Sequence, residues 1–220
     1  MNGAAGIVAF DLDGTLLPNT TVCLHLGPWV GNNEIEELER LYALGQITNM
    51  EAAERDATFY KDRRRDDLWR QLEKLELIGG LEDTITWLKT RSLVPVVATV
   101  TMSIAADFLC DRYGFAAGSG CQLAETDDGV FLGTVARHFS PEDKAAVVGQ
   151  IAQDQGLGFK DVVAIGDSTS DLPLFHAAGF SIALNAASNA RETADIQLDT
   201  DDLRDVIPPI ERYFAGRPHR

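Results

Sequence analysis

Four short apolar runs divide the chain: GIVAF (6–10), VPVVAT (94–99), DVVAIG (161–166) and FSIAL (180–184). Runs this short, without polar alternation, read as strands buried on both faces, the pattern of a parallel sheet. Helical periodicity lies between them. In GGLEDTITWLK, Leu81, Ile85 and Leu88 have helical spacing, and Ile104 and Phe108 begin a second helix. Val148, Ile151 and Ala152 mark a third, with Ser140-Pro141 and Glu142-Asp143 as its start signal. Leu203, Val206, Ile207 and Ile210 mark a last one, with a kink expected at Pro208-Pro209. Strands alternating with helices imply an α/β fold with a doubly wound parallel sheet. Ligands of such sheets bind beyond the carboxyl ends of the strands.

One stretch breaks the alternation. From about Pro18 to Ile78 no run reads as a strand. Ile35, Leu38 and Leu41 suggest one helix, a second starts near Thr48, and Leu68, Leu72 and Leu75 suggest a third. The stretch is therefore a helical insert directly after the first strand. A second irregular piece, CQLAETDDGVFLG (121–133), reads as a hairpin turning at Asp128-Gly129. The final AGRPHR reads as a polar tail.

The formal net charge of −15 argues against nucleic acid and anionic membrane as partners, because both require a positive footprint. It leaves room for an anionic small substrate at a site that is locally positive or holds a metal. No apolar run reaches membrane-spanning length, and no basic segment followed by an apolar core opens the chain. Three widely spaced cysteines, Cys23, Cys110 and Cys121, suggest a reduced compartment. The expectation is a cytoplasmic protein, a monomer or homodimer.

The strand ends carry the chemistry. The first run ends in Asp11 and Asp13, which point the same way on an extended strand. Two carboxylates pointing together are costly unless a cation or a shared proton relieves them. The third run ends at Gly166-Asp167, with Asp171 four residues beyond Asp167. One acid would suffice for a helix cap, yet two strands each deliver an acidic pair to one sheet edge. Four converging carboxylates call for a hard divalent cation, and all-oxygen ligation suits Mg²⁺. Thr99 ends the second run beside a helix start and offers a hydroxyl and backbone N–H groups to an anion. Lys144 lies early in a helix, where it opposes the helix dipole and is consistent with a buried anionic partner.

DLDGTLL, Thr99 after VPVVA, Lys144, and GDSTSDLPLF stand in the order of the haloacid dehalogenase (HAD) superfamily. The chain most resembles its phosphoserine phosphatase-like branch, over most of its length. That resemblance implies a HAD-type Rossmann-like core (1–17 and 79–220) with a small helical cap (18–78). It implies that Asp11 attacks phosphorus to form an aspartyl-phosphate, and that Asp13 protonates the leaving oxygen and then deprotonates water. Mg²⁺ would be held by Asp11, the main-chain carbonyl of Asp13, and Asp167. Asp171 would orient metal waters or Lys144, and Thr99 and Lys144 would bind phosphoryl oxygens.

The implied activity is a Mg²⁺-dependent hydrolysis of a small-molecule phosphate monoester, selected by the cap. Three places depart from the branch. Thr20 stands where a glutamate usually grips the substrate amine. Asp56 stands where an arginine usually grips its carboxylate, with Arg55 adjacent. TVTM stands where a Ser-Gly-Gly-like run is usual. These departures weaken phosphoserine as the substrate and leave a sugar, cyclitol or other metabolite phosphate as strong a choice. Phosphoserine phosphatase proper and a phosphotransferase to an alcohol are the alternatives. A receiver-type signalling domain also joins Asp, Thr and Lys at strand ends, but it is shorter, uncapped, and carries its phosphate acceptor on a later strand.

Overall fold

The computed structural model describes residues 3–32 and 34–216. Residues 217–220, most of the polar tail, lie outside that range. A six-stranded parallel sheet forms the core, in the order β3-β2-β1-β6-β7-β8. Its strands are β1 (Gly6–Phe10), β2 (Leu93–Val97), β3 (Ala117–Gly118), β6 (Val162–Gly166), β7 (Phe180–Leu184) and β8 (Ile196–Leu198). β1 is buried along its whole length, and its residues alternate between two cores. Val8 and Phe10 pack on one face, while Ile7 and Ala9 pack on the other against Val148 and Ala152. The strand's period of two thus demands apolar residues at every position, which is why GIVAF is continuous.

Sheet order fixes where a ligand can sit. From β1 the chain passes through α5 (Leu81–Thr90) to β2, then through α6 (Ser103–Tyr113) to β3. It returns across the sheet through α7 (Pro141–Asp154) to β6 and continues outward to β7 and β8 through α8 (Leu172–Ala177) and α9 (Ser188–Thr193). The strand order therefore reverses beside β1, the crevice that doubly wound sheets use for binding. Phe10 is in register with both Val97 and Ile165. The ladder runs one step further, with Asp11 N–H donating to Ile165 O and Ala98 N–H donating to Phe10 O, both at 2.8 Å. Asp11, Thr99 and Asp167 consequently emerge together.

Between β1 and α5 lie four helices: α1 (Val22–Val30), α2 (Glu34–Ala43), α3 (Asn49–Phe59) and α4 (Arg65–Leu72). They are a helical cap inserted after the first strand. Thr48 closes a capping box with Glu51 at the start of α3, as its sequence suggests. The hairpin of β4 (Gln122–Glu125) and β5 (Phe131–Arg137) stands apart from the main sheet. It joins the cap: Asp62 N–H donates to Phe131 O, Phe131 N–H to Arg63 O, and Arg65 N–H to Gly129 O. The kink expected at Pro208-Pro209 falls earlier. A 3₁₀ turn over Leu203–Val206 gives way to α10 (Ile207–Ala215), and the prolines occupy its first turn, where a missing N–H is harmless. Among the described residues, no helix is long and apolar enough to cross a membrane.

Candidate active site

Asp11, Asp167 and Asp171 each place a carboxylate oxygen within 4.8 Å of the other two. Beneath them lies Lys144, fully buried, reaching out from the second turn of α7. Ser140 caps that helix with Pro141 behind it, so its start and hence the lysine's position are defined by local sequence. Lys144 Nζ donates to Asp11 Oδ1 at 2.9 Å, Ser170 Oγ at 3.0 Å and Asp171 Oδ1 at 2.7 Å. All three donor positions of the ammonium are thereby used. Asp171 closes the other side, its Oδ2 accepting the backbone N–H groups of Asp167 at 3.0 Å and Ser168 at 3.1 Å. It thus bridges the strand end to the lysine. Thr15 Oγ1 donates to Asp167 Oδ1 at 2.8 Å.

Two glycines make this closeness possible. Gly14 has φ +80°, and a Cβ there would lie 2.3 Å from Asp167 Oδ2. A Cβ on Gly166 would lie 2.2 Å from Asp171 Cγ. Both sites exclude a side chain because a carboxylate already fills the space.

Charge is incompletely balanced. Burial, reinforced by the Asp171 charge and only partly offset by Lys144, raises Asp11 to about 6. Burial and the charges of Asp11 and Asp171 raise Asp167 to about 8, with Thr15 opposing. For Lys144, burial disfavours the ammonium, but Asp11 and Asp171 overcome it and its pKa is pushed up. One cation faces three acids, and the raised values of Asp11 and Asp167 reflect that imbalance. A hard divalent cation would relieve it, and the all-oxygen donor set fits Mg²⁺.

Asp13 is oriented differently. Its Oδ1 accepts the Val22 N–H at 2.7 Å, at the start of α1, so its carboxyl faces the cap. Burial holds it well above the ordinary carboxylate range. Thr99 is buried, and its Oγ1 accepts the Thr101 N–H at 3.2 Å.

These residues open into a cavity of about 840 Å³ that runs from the strand ends to the inner face of the cap. Asp11, Asp13, Thr99 and Asp167 line its floor, and Thr20 and Asp56 line its cap side. Lys144 and Asp171 sit below the floor, joined to it through Asp11. Arg55 is exposed on α3 and lies outside the cavity lining, so the structure does not bring it to the site. Several lining or bonded residues carry no sequence signal of their own. Thr15 and Ser170 stand inside quoted motifs, where a hydroxyl near an acid is the only cue. Glu39 and Tyr42 also line the cavity, from α2.

The haloacid dehalogenase-like hydrolase family matches residues 8–176. The chain belongs to that family. It is an enzyme of the hydrolase class, and curated relatives along nearly its full length are phosphatases. It is 26% identical to a phosphoserine phosphatase of Methanocaldococcus jannaschii, over 93% of this chain and 97% of the relative. It is 23% identical to one from Campylobacter jejuni subsp. doylei, over 93% and 99%. Among solved structures, a phospho-aspartyl intermediate analogue of phosphoserine phosphatase superposes with a TM-score of 0.81 at 24% identity. That match covers 94% of this chain and 99% of the other, a likeness that establishes the fold.

Proposed function

We propose that this chain is a Mg²⁺-dependent phosphomonoester hydrolase that turns over a small-molecule phosphate through an aspartyl-phosphate on Asp11. The observation that carries the reading is the meeting of Asp11, Asp167 and Asp171 over the buried Lys144, at the floor of a capped cavity. Asp11 and Asp167, with the main-chain carbonyl of Asp13, would hold the ion, while Asp171 keeps Lys144 and the strand end in place. Bound Mg²⁺ would offset charge on the phosphoryl oxygens and align them for in-line displacement.

The chain's own groups account for the rest. A carboxylate oxygen of Asp11 attacks phosphorus, and the bond from phosphorus to the ester oxygen breaks. Asp13 enters protonated, as its raised pKa favours, and gives that proton to the departing alkoxide. The same carboxylate then takes a proton from water as the water attacks phosphorus. Cleavage of the acyl phosphate frees inorganic phosphate and regenerates Asp11. Lys144 and Thr99 stabilise the negative charge, and the cap excludes bulk water from the acyl phosphate. Asp13 is bonded to the first cap helix, which supports a coupling between cap closure and the presence of a positioned acid.

The relatives' names favour a second reading, phosphoserine hydrolysis. The test is phosphate release from a metabolite phosphate panel with Mg²⁺, with and without an alcohol acceptor. Activity on an aryl phosphate is expected to vanish with chelator and return with Mg²⁺. Full activity in chelator would contradict the metal assignment, and transfer to the alcohol in place of release would make the chain a phosphotransferase.

A further inference from the structure

Two half-buried acids have no task in that reaction. Glu39 of α2 and Asp56 of α3 line the cap side of the cavity. Asp56 Oδ2 accepts from Cys23 Sγ at 3.3 Å and its Oδ1 from Tyr60 Oη at 3.4 Å, both neutral donors. The groups that oppose the effect of burial on Glu39 are the neutral side chains of Thr21 and Cys23. Among the described residues, none that lines the cavity is Lys, Arg or His. Lys144 is closed off beneath Asp11 and Asp171, and Arg55 is turned to solvent.

Carboxylates walled into a ligand cavity without a counter-ion are costly, and the cost falls when the ligand brings the cation. A second carboxylate in the same space would face two acids and no cationic donor. The remaining wall is mixed: the Tyr42 ring and Leu38 from the cap and Met102 from the core, just before α6, suit the methylenes of a short alkyl stem. Resting on the phosphatase reading above, we propose that the substrate is the phosphate monoester of a small amino alcohol, with an ammonium held by Glu39 and Asp56 and no carboxylate. Burial raises both acids, Asp56 to about 7, which is the expected behaviour of carboxyls lacking a positive partner.

The experiment compares kcat/KM with Mg²⁺ for four esters: para-nitrophenyl phosphate, n-propyl phosphate, phosphoethanolamine and phosphoserine. Propyl phosphate replaces the ammonium by a methyl group of similar size, and phosphoserine adds the carboxylate. Phosphoethanolamine is expected to exceed each of these two by at least about tenfold, the value of one charge-assisted hydrogen bond. Glu39→Gln and Asp56→Asn are each expected to lower the ratio of phosphoethanolamine to propyl phosphate by about tenfold. A phosphoserine preference, a ratio near unity, or variants that leave the ratio unchanged would overturn the inference while aryl ester turnover keeps the phosphatase reading intact. No release from any of the four esters would overturn the phosphatase reading, and the inference with it.

Discussion

The core and the cap both turn carboxylates into the cavity region, but they treat them in opposite ways. In the core, Asp11 and Asp171 share the Lys144 ammonium, Asp171 also takes two backbone N–H groups, and Asp167 takes the Thr15 hydroxyl. In the cap, Asp56 accepts from the Cys23 thiol and the Tyr60 hydroxyl, and Glu39 faces Thr21 and Cys23. The core has built one cation, Lys144, into its own fold, and on the proposed reading the residual negative charge is met by a metal. The cap has built in none. On the proposed reading the contrast separates two roles: core acids that keep one geometry through every turnover, and cap acids whose charge is completed by the ligand.

The comparison breaks most visibly at Asp11. Asp11→Asn removes the attacking oxygen and is expected to abolish turnover of every phosphate ester, with thermal unfolding remaining cooperative. Substantial turnover by this variant would remove the covalent step from the core. Lys144→Met tests whether the lysine is the core's structural counter-ion. Removing one member of a buried ion pair costs about 3–5 kcal/mol, so the variant's urea midpoint should fall sharply, with activity lost as well. An unchanged midpoint would mean that the core acids do not depend on it.

Asp56→Asn makes the complementary test in the cap, with a smaller effect of opposite sign. The folded-state pKa of Asp56, about 7, lies above the ordinary value of 3.8. Between those pH values the folded protein binds more protons than the unfolded chain, so the stability Asp56 contributes falls as pH rises through the window. Glu39, Cys23, Tyr60 and Cys121 are the titratable groups that interact with it, and none is cationic. Asp56→Asn should therefore stabilise the protein more at pH 8 than at pH 5, by about 2 kcal/mol. Equal effects at both pH values would show that the cap acid is already balanced.

The same division governs what was legible in the sequence. GIVAF and FSIAL coincide with β1 and β7, because strands buried on both faces leave a short, nearly continuous apolar run, broken in β7 only by Ser181, which bonds Asp195. Asp11, Asp13, Asp167 and Asp171 were readable because each stands a fixed step from a strand end. β3 and β8, two and three residues long, are too short and too exposed to leave a pattern. Helix α1 carries Gly27 and Pro28, which obscure its periodicity; it is held by the Thr21 cap, the left-handed Gly31 and burial of Val22 and Leu26. Glu39 was invisible as a site residue, since its neighbours Ile35 and Leu38 mark only a helix. Its access to the cavity depends on how four helices and a distant hairpin settle over the sheet edge, and no local spacing encodes that.

The division of labour between Asp11 and Asp13 is the claim on which the chemistry of the core rests, and Asp13→Asn tests it most directly. General acid–base catalysis contributes about 10²–10⁴-fold, so turnover of an alkyl phosphate should fall by that factor. An aryl phosphate leaves as a stable phenolate and needs no proton in the first step, while water in the second step still lacks its base. Rapid quench with labelled aryl phosphate should then show a burst of protein-bound phosphate that maps to the peptide containing Asp11. Equal loss on both esters with no trapped phosphate would contradict the account and leave Asp13 a structural or metal-binding group.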